Sequence, residues 1–460
     1  MNAYIQRVLE KTRAQNAGES EFLQTVEEVL SSLEPVIERH PEYERAALLE
    51  RMVEPERVIG FRVVWQDDSG LAHVNRGYRV QYNSAIGPYK GGLRFHPSVN
   101  LSIMKFLAFE QTFKNSLTSL PIGGGKGGSD FDPRGRSDNE IMRFCQAFMT
   151  ELYRHIGPDV DVPAGDLGVG GKEIGYLFGQ YKRIKNAYEN GVLTGKGFSY
   201  GGSLIRPEAT GFGAVYYISE VFKHEKDSFS GKTFALSGFG NVCWGAITKI
   251  TQLGGKVITI SGPDGYVLDS NGINTPEKIA YLLEMRDSRR DRVQDYADKF
   301  GVPFFPGEKP WGVKADVYMP CATQNEVGLA EAKQIAASGA KYYIEVSNMP
   351  TTNDALAYLM KETRMIVAPS KAVNAGGVAT SALEMSQNSM RYSWSFEEVD
   401  NRLKNIMVGI FQKIDQAAKD YGVEGDYVMG ANIEGFLKVA DAMMSVSYTH
   451  LRAHETEADL

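Results

Sequence analysis

Residues 233–246 read TFALSGFGNVCWGA. A compact apolar run, 233–237, leads directly into Gly238 and Gly240, with Cys243 at the third small position, and a helix-forming run, 247–253, follows. The pattern G-x-G-x-x-small is weak on its own. Set after a strand, before a helix and ahead of a second apolar run, KVITIS at 256–261, it marks a dinucleotide-binding βαβ unit. Gly238 permits the tight turn, and Gly240 lets a pyrophosphate come close to the backbone. The helix that follows offers unpaired amides and the positive end of its dipole. A glycine-rich turn that holds no ligand is the alternative reading.

Working outward, more short apolar runs recur at 315–319 (ADVYM), 342–346 (YYIEV) and 365–368 (MIVA), each separated by helix-compatible sequence. Such alternation predicts parallel strands with crossover helices, a doubly wound α/β sheet. The cofactor follows from charge. An acidic residue near the end of the second strand suits the ribose 2′-hydroxyl of NAD. Gly262 takes the expected position here and Asp264 lies slightly beyond it, with no Arg or Lys between Val257 and Leu268. This favours NAD. Basic residues arriving from elsewhere, such as Arg289 and Arg290, keep NADP open.

The half of the chain before residue 195 reads differently. Residues 21–39 carry an apolar stripe, Phe22, Val26, Val29, Leu30, Leu33 and Ile37, at helical spacing. Two alternating runs, 58–65 and 73–82, flank the turn residues Asp67, Asp68, Ser69 and Gly70, which predicts a hairpin. A helix is expected over 138–155 and a glycine-rich loop over 161–175. Between the hairpin and that helix lie KGGLRF (90–95), FEQTFKNSL (109–117) and PIGGGKGG (121–128). Lys90, Lys114 and Lys126 sit here among glycines and apolar residues, and Gln111 shares a helix face with Lys114. They form either a basic surface or a pocket for a small anion, ideally one with two carboxylates; the dinucleotide pattern downstream favours the pocket. Gly127 follows Lys126, where a nucleotide-phosphate loop needs Ser or Thr to hold Mg²⁺, so that reading is discarded. A lysine walled by glycine and apolar sequence near other cations should have a depressed pKa, which lets it act as a base. Asp166, in PAGDLG, is either a turn-former or a proton-shuttling carboxylate. Beside an anion pocket and a dinucleotide site the second reading is stronger.

The bulk numbers exclude other classes. A chain of 460 residues with 43% hydrophobic and 23% charged residues describes two or three globular domains. A net charge of −7 argues against nucleic-acid binding. Three scattered cysteines, Cys145, Cys243 and Cys321, give no disulfide framework and read as small buried hydrophobes. No stretch has the form of a signal peptide or the length of a membrane span, and no zinc motif appears; the expectation is a cytoplasmic protein without a metal. The composition shifts toward glycine around 195–207, which is taken as the domain boundary.

In order along the chain, KGGLRF, FEQTFKNSLT, PIGGGKGG, DVPAGDLGVG, RPEATGFG, GFGNV and NAGGVATSALEMSQN resemble the hexameric bacterial glutamate dehydrogenases of the Glu/Leu/Phe/Val dehydrogenase family. SGPDGYVLD at 261–269 is similar to the NAD-linked members. The resemblance implies reversible oxidative deamination of L-glutamate to 2-oxoglutarate and ammonium, with NAD, or NADP as the alternative. It implies that Lys90 and Ser381 hold the side-chain carboxylate, with Gln111, Lys114 and the Gly165 backbone at the α-amino-acid end. Lys126 would be the catalytic lysine and Asp166 the proton-transfer carboxylate. Thr210, Gly238, Gly240 and Asn241 would line the cofactor site. The implied architecture is an N-terminal α/β substrate and assembly domain (1–199), a Rossmann-like NAD-binding domain (200–424) and a helix returning to the first domain (425–446), in a homohexamer. Residues 447–460 depart from the family and read as a non-native disordered tail, whose His450 and His454 carry little weight. A protein that keeps this fold for dinucleotide binding and assembly without turnover is the rival; the joint presence of Lys90, Lys126 and Asp166 argues against it.

Overall fold

The computed structural model describes residues 1–288 and 290–458, with side chains described through Ser445. Arg289 and the side chains of His450 and His454 therefore lie outside the described residues. The chain divides into two compact units, one of residues 1–204, 381–399 and from 432 onward, the other of residues 205–380 and 400–431.

The first unit is built on a five-stranded sheet ordered β1-β2-β4-β3-β5, from β1 (Arg57–Gln66), β2 (Ala72–Asn83), β3 (Tyr89–Phe95), β4 (Gly124–Ser129) and β5 (Asp161–Gly165). β1 and β2 form the expected hairpin, in register Val64 with Val74. Asp67 closes the turn, its Oδ1 accepting from the backbone amides of Ser69 at 2.9 Å and Leu71 at 3.0 Å. β2 meets β4 antiparallel, and β3 runs parallel to both β4 and β5. β3, β4 and the edge strand β5 carry the glycine-rich segments of this half of the sequence, including the start of the 161–175 stretch expected to be a loop. Glycine disfavours a strand because it adds entropy and no side chain. Here the chains are so close that little else fits. A Cβ on Gly91 would stand 1.7 Å from the Gly125 carbonyl oxygen, and one on Gly124 would stand 2.0 Å from Thr112 Oγ1.

An aromatic core supports one face of this sheet. Trp65, Leu93, Phe95, Phe131, Phe144 and Phe148 are buried together with residues of the helices Asp138–Leu152 and Gly171–Lys185. Against β4 lies the helix Leu101–Leu117, its first turn closed by Asn100 Oδ1, which accepts from the Ile103 amide at 2.9 Å. The apolar stripe at 21–39 is buried as expected, but on two helices, Ser20–Ser32 and Glu34–Arg39. Pro35 accounts for the break, since its ring cannot follow an uninterrupted helical turn.

The second unit holds β6 (Thr233–Leu236), β7 (Lys256–Gly262), β8 (Gly265–Leu268), β9 (Phe304–Pro306), β10 (Val317–Met319), β11 (Tyr342–Ile344) and β12 (Ile366–Ala368), ordered β12-β11-β10-β6-β7-β8-β9. The five runs read as parallel strands are β6, β7, β10, β11 and β12, and all pair in parallel. β8 and β9 extend the sheet antiparallel from β7.

Several boundaries differ from the sequence reading: the first unit runs to 204 and not 199, and the chain returns to it for the last time at 432 and not 425. Residues 381–399 return to the first unit and take Ser381 with them, although 200–424 reads as one domain. The division falls inside a continuous helix, Gly376–Met390, and a helix carries no break in composition for a reader to find. The last helix, Tyr427–Ala458, continues through the stretch expected to be disordered. No Gly or Pro interrupts 445–458, and Leu451, Arg452, Ala453 and Glu455 are good helix formers.

Candidate active site

Strand alternation puts Lys90, Gly92 and Arg94 on one face of β3. Lys90 is only 1% exposed. Its backbone carbonyl accepts from Asn115 Nδ2 at 3.0 Å, and Asn115 Oδ1 in turn accepts from Gln111 Nε2 at 2.6 Å. The helix Leu101–Leu117 thereby ties Gln111 to the strand that carries Lys90, through an asparagine the sequence reading passed over. Lys114 lies half-buried on that helix, and Ser381 is buried in the same unit.

Lys126, on β4, forms an ion pair with Asp166, Nζ to Oδ2 at 2.8 Å. Arg94 Nε reaches the same oxygen at 2.9 Å. Asp166 directly follows Gly165 at the end of β5 and opens a tight turn, in which the Val169 amide donates to its carbonyl at 2.8 Å. Burial lowers the Lys126 pKa; Asp166 pulls it back up, while Arg94 and Arg79 push it further down. Burial alone would raise Asp166, but the charges of Lys126 and Arg94 outweigh it and hold the carboxyl well below the usual range. A charged carboxylate thus meets a lysine whose proton is unusually easy to remove.

Beneath this pair lies a second one. Arg79 and Asp161 have fully buried side chains, and the guanidinium grips the carboxylate through Nε at 2.9 Å and Nη2 at 2.5 Å. Arg79 Nη1 also donates to the Gly91 carbonyl at 3.0 Å, and Gln81 Nε2 donates to Asp161 at 3.0 Å. This network braces β2, β3 and β5 below the lysines. Nothing in the sequence pattern singled out Arg79, Asp161 or Arg94, because a charged residue in a strand pattern ordinarily reads as solvent-facing.

In the second unit Gly238 adopts φ +79°, a conformation that suits only glycine without strain, and its amide donates to Ser261 Oγ at 3.0 Å. Gly240 caps the helix Asn241–Gln252, and no atom lies within 4 Å of where its Cβ would be. The helix N-terminus is therefore open to a phosphate, and these residues fit a dinucleotide. Cys243 is fully buried, as the small third position requires. Asn241 Oδ1 accepts from Arg286 Nη1 at 2.5 Å. Thr210, on the helix Ala209–His224, lies against Gly377, where a Cβ would come within 2.7 Å of its hydroxyl. Cys145, Cys243 and Cys321 are all buried, and burial pushes each thiol up.

Asp264 is placed differently from the sequence reading. It sits in the turn from β7 to β8, and its Oδ1 and Oδ2 accept from the amides of Val293 at 3.0 Å and Gln294 at 3.1 Å. Both oxygens serve the start of the helix Gln294–Phe300.

A sheet wound for a dinucleotide, and a buried lysine paired with a carboxylate at a second sheet, define a dinucleotide-dependent dehydrogenase. Comparison with known proteins narrows this. The Glutamate/Leucine/Phenylalanine/Valine dehydrogenase family matches residues 201–446, and the Glu/Leu/Phe/Val dehydrogenase dimerisation domain matches residues 55–183. The chain belongs to this family. It is 67% identical over 445 residues to the NAD-specific glutamate dehydrogenase of Clostridium symbiosum, covering 97% of this chain and 99% of that one. It is 55% identical to the NADP-specific glutamate dehydrogenase of Giardia intestinalis, covering 96% and 98%. A solved glutamate dehydrogenase structure superposes with a TM-score of 0.96 at 67% identity, covering 96% and 99%.

Proposed function

We propose that this protein catalyses the reversible oxidative deamination of L-glutamate to 2-oxoglutarate and ammonium with NAD. The observation that carries the reading is the pairing of buried Lys126 with part-buried Asp166, 2.8 Å apart, at the sheet that also carries Lys90. A buried ammonium on β3 is matched by a carboxylate and not by an aliphatic side chain, which selects glutamate over leucine by several kcal/mol. Lys90 and Ser381 hold that side-chain carboxylate. Gln111, Lys114 and the Gly165 backbone hold the α-amino-acid end, so that the Cα hydrogen is fixed in position.

Gly238, Gly240, Asn241 and Thr210 hold the dinucleotide, which when bound supplies the hydride acceptor. Asp166, as the carboxylate, first takes a proton from the substrate ammonium and is therefore protonated once the hydride has left; neutral Lys126 takes a proton from the water as it attacks the imine carbon and releases that proton to solvent. As the resulting carbinolamine collapses, its hydroxyl proton passes to the Lys126 amine while its O–H electron pair forms the new C=O. The C–N bond breaks with its electron pair on nitrogen, and protonated Asp166 gives that nitrogen its proton. Ammonia and 2-oxoglutarate leave an ammonium on Lys126 and a carboxylate on Asp166.

NAD is preferred for the negative charge of Asp264 and for the likeness to the Clostridium symbiosum enzyme. Because both Asp264 oxygens already hold backbone amides, it acts by repelling a 2′-phosphate more than by gripping a ribose hydroxyl. NADP remains the second reading, favoured by the basic Arg286 beside Asn241. Initial rates with L-glutamate and either NAD or NADP decide. Fast reduction of NAD alone is expected, equal reduction of NADP would move the cofactor assignment, and no reduction of either would overturn the function.

The assembly proposed is a homohexamer. Its support is the match to a dimerisation domain, together with the edge position of β1 and the exposed Val58, Val64 and Val74 on its hairpin, which a second copy would cover. A solution mass of six chains by light scattering is expected. No helix among the described residues is long and apolar enough to cross a membrane, and we place the reaction in the cytoplasm.

A further inference from the structure

We propose that Arg94 is a positioning residue for the reaction: with Lys126 it pins one oxygen of Asp166, Oδ2, so that proton exchange with the substrate nitrogen runs through the other, Oδ1. This rests on the functional reading above and assigns a task to a residue outside the lysine set.

The geometry is specific. Both donors converge on Oδ2, Lys126 Nζ at 2.8 Å and Arg94 Nε at 2.9 Å, and every hydrogen bond of the carboxylate to a described residue falls on that atom. The side chain nonetheless keeps 19% of its surface exposed, so the carboxylate is not sealed in. One oxygen is fixed and the other is left for exchange. Rotation about the Cβ–Cγ bond would scramble the two, and a second donor arriving from another strand opposes that rotation. An ammonium alone would not, because it can follow the oxygen.

The strand that carries Arg94 also clamps the backbone of the same turn. The amide of the next residue, Phe95, donates to the Leu167 carbonyl at 2.9 Å. A Cβ on Gly168, at φ +74°, would stand 2.1 Å from the Phe95 carbonyl oxygen. On the other side of Arg94, a Cβ at Gly92 would come within 2.8 Å of Asp166 Cβ. β3 thus serves the Asp166 turn three ways: Gly92 leaves room for its Cβ, Arg94 holds its carboxylate by charge and hydrogen bond, and Phe95 hydrogen-bonds the backbone of the turn at Leu167. A surface arginine that happened to find a carboxylate would show only the contact of Arg94 itself.

The charge of Arg94 acts on both partners. The charged groups facing Lys126 are Asp166 from the turn after β5, Arg94 from β3 and Arg79 from β2; those facing Asp166 are Lys126 and Arg94. Arg94 favours the carboxylate on Asp166 and disfavours the ammonium on Lys126. Removing it should raise both titrations.

The test is the pH profile of L-glutamate oxidation in the full-length assembly, for wild type, Arg94→Gln and Arg94→Lys. In Arg94→Gln, kcat should fall by about 10- to 100-fold with KM for glutamate nearly unchanged. The limb on which activity rises with pH should move to higher pH, since neutral Lys126 becomes harder to form. Arg94→Lys restores the charge but not the second rigid donor, so its limb should return to the wild-type position while kcat stays depressed by about tenfold. A purely structural arginine would lower the melting temperature and the amount of active enzyme without moving the limb. Wild-type kcat and an unmoved limb in Arg94→Gln would overturn the proposal; if that variant fails to fold, wild-type kcat in Arg94→Lys would do so. Wild-type enzyme that oxidises no glutamate would count against the functional reading instead. The Arg94–Asp166 link would then be judged by difference infrared titration of the Asp166 carboxyl, identified by its loss in Asp166→Asn, which should titrate at higher pH without Arg94.

Discussion

The two sheets of this protein solve opposite problems. The parallel sheet of the second unit is a frame: β6, β7, β10, β11 and β12 are short, apolar and buried, and what they position is a helix N-terminus and a turn of backbone. The inner strands of the first unit are the chemistry. β3 and β4 spell YKGGLRF and GGKGGS, and the side chains that remain among the glycines are mostly the cations and apolar anchors of the site. In the second unit side chains build the scaffold and backbone meets the ligand. In the first, backbone is packed so closely that the few side chains present are held where the reaction needs them.

The sharpest way to break this comparison is Lys126→Ala. If β4 exists to present Lys126, turnover should fall by roughly 10³-fold or more, while binding of NADH, followed by its own fluorescence, stays near wild type. The same residue fixes the pH dependence. Lys126 acts as a base only when neutral, and burial, reinforced by Arg94 and Arg79, holds its pKa below the ordinary 10.5. The kcat/KM for glutamate should therefore rise with pH and level off below that value. A profile still climbing through the ordinary lysine range would show that the buried pair does not tune the lysine.

Glycine distinguishes the two sheets next. Gly91→Ala puts a methyl 1.7 Å from a backbone oxygen, with no flexible side chain to yield, and should destabilise the protein by about 3 kcal/mol or prevent assembly. Gly240→Ala meets nothing within 4 Å and keeps an ordinary φ of −75°. Its melting temperature should stay within a few degrees of wild type, while NAD binding weakens about tenfold, or about 1.4 kcal/mol. If Gly240→Ala instead unfolds the protein, glycine in the fingerprint is structural and the contrast fails.

This difference explains which parts were readable from sequence. The frame was legible because apolar periodicity is what burial on both faces of a parallel sheet imposes; all five parallel strands stand within two residues of where composition put them. β3, β4 and β5 were legible as chemistry and illegible as strands. Their glycines answer to close approach between neighbouring backbones, a demand that leaves no pattern in the strand's own sequence. Arg94, Arg79 and Asp161 were missed for a related reason: their partners lie 72 and 82 positions away, and a buried charge is recognised only beside the group that balances it. Lys126 and Asp166 could be singled out because small residues surround each of them locally.

The smallest expected effect is at Asp264, where the frame and the cofactor site meet. The carboxylate is engaged at the start of the helix Gln294–Phe300, where it works as a cap. Asp264→Ser, which keeps only one shorter acceptor, should cost about 1 kcal/mol and a few degrees of melting temperature. Two amide donors do not neutralise a carboxylate, so its field still opposes a 2′-phosphate, and that repulsion disappears in the variant. The kcat/KM with NADP should then rise roughly three- to tenfold, while that with NAD stays within about twofold. A fall of tenfold or more with NAD would carry a different meaning. It would show that Asp264 grips the ribose hydroxyl as well as the amides, and that a residue of the frame takes part directly in recognition.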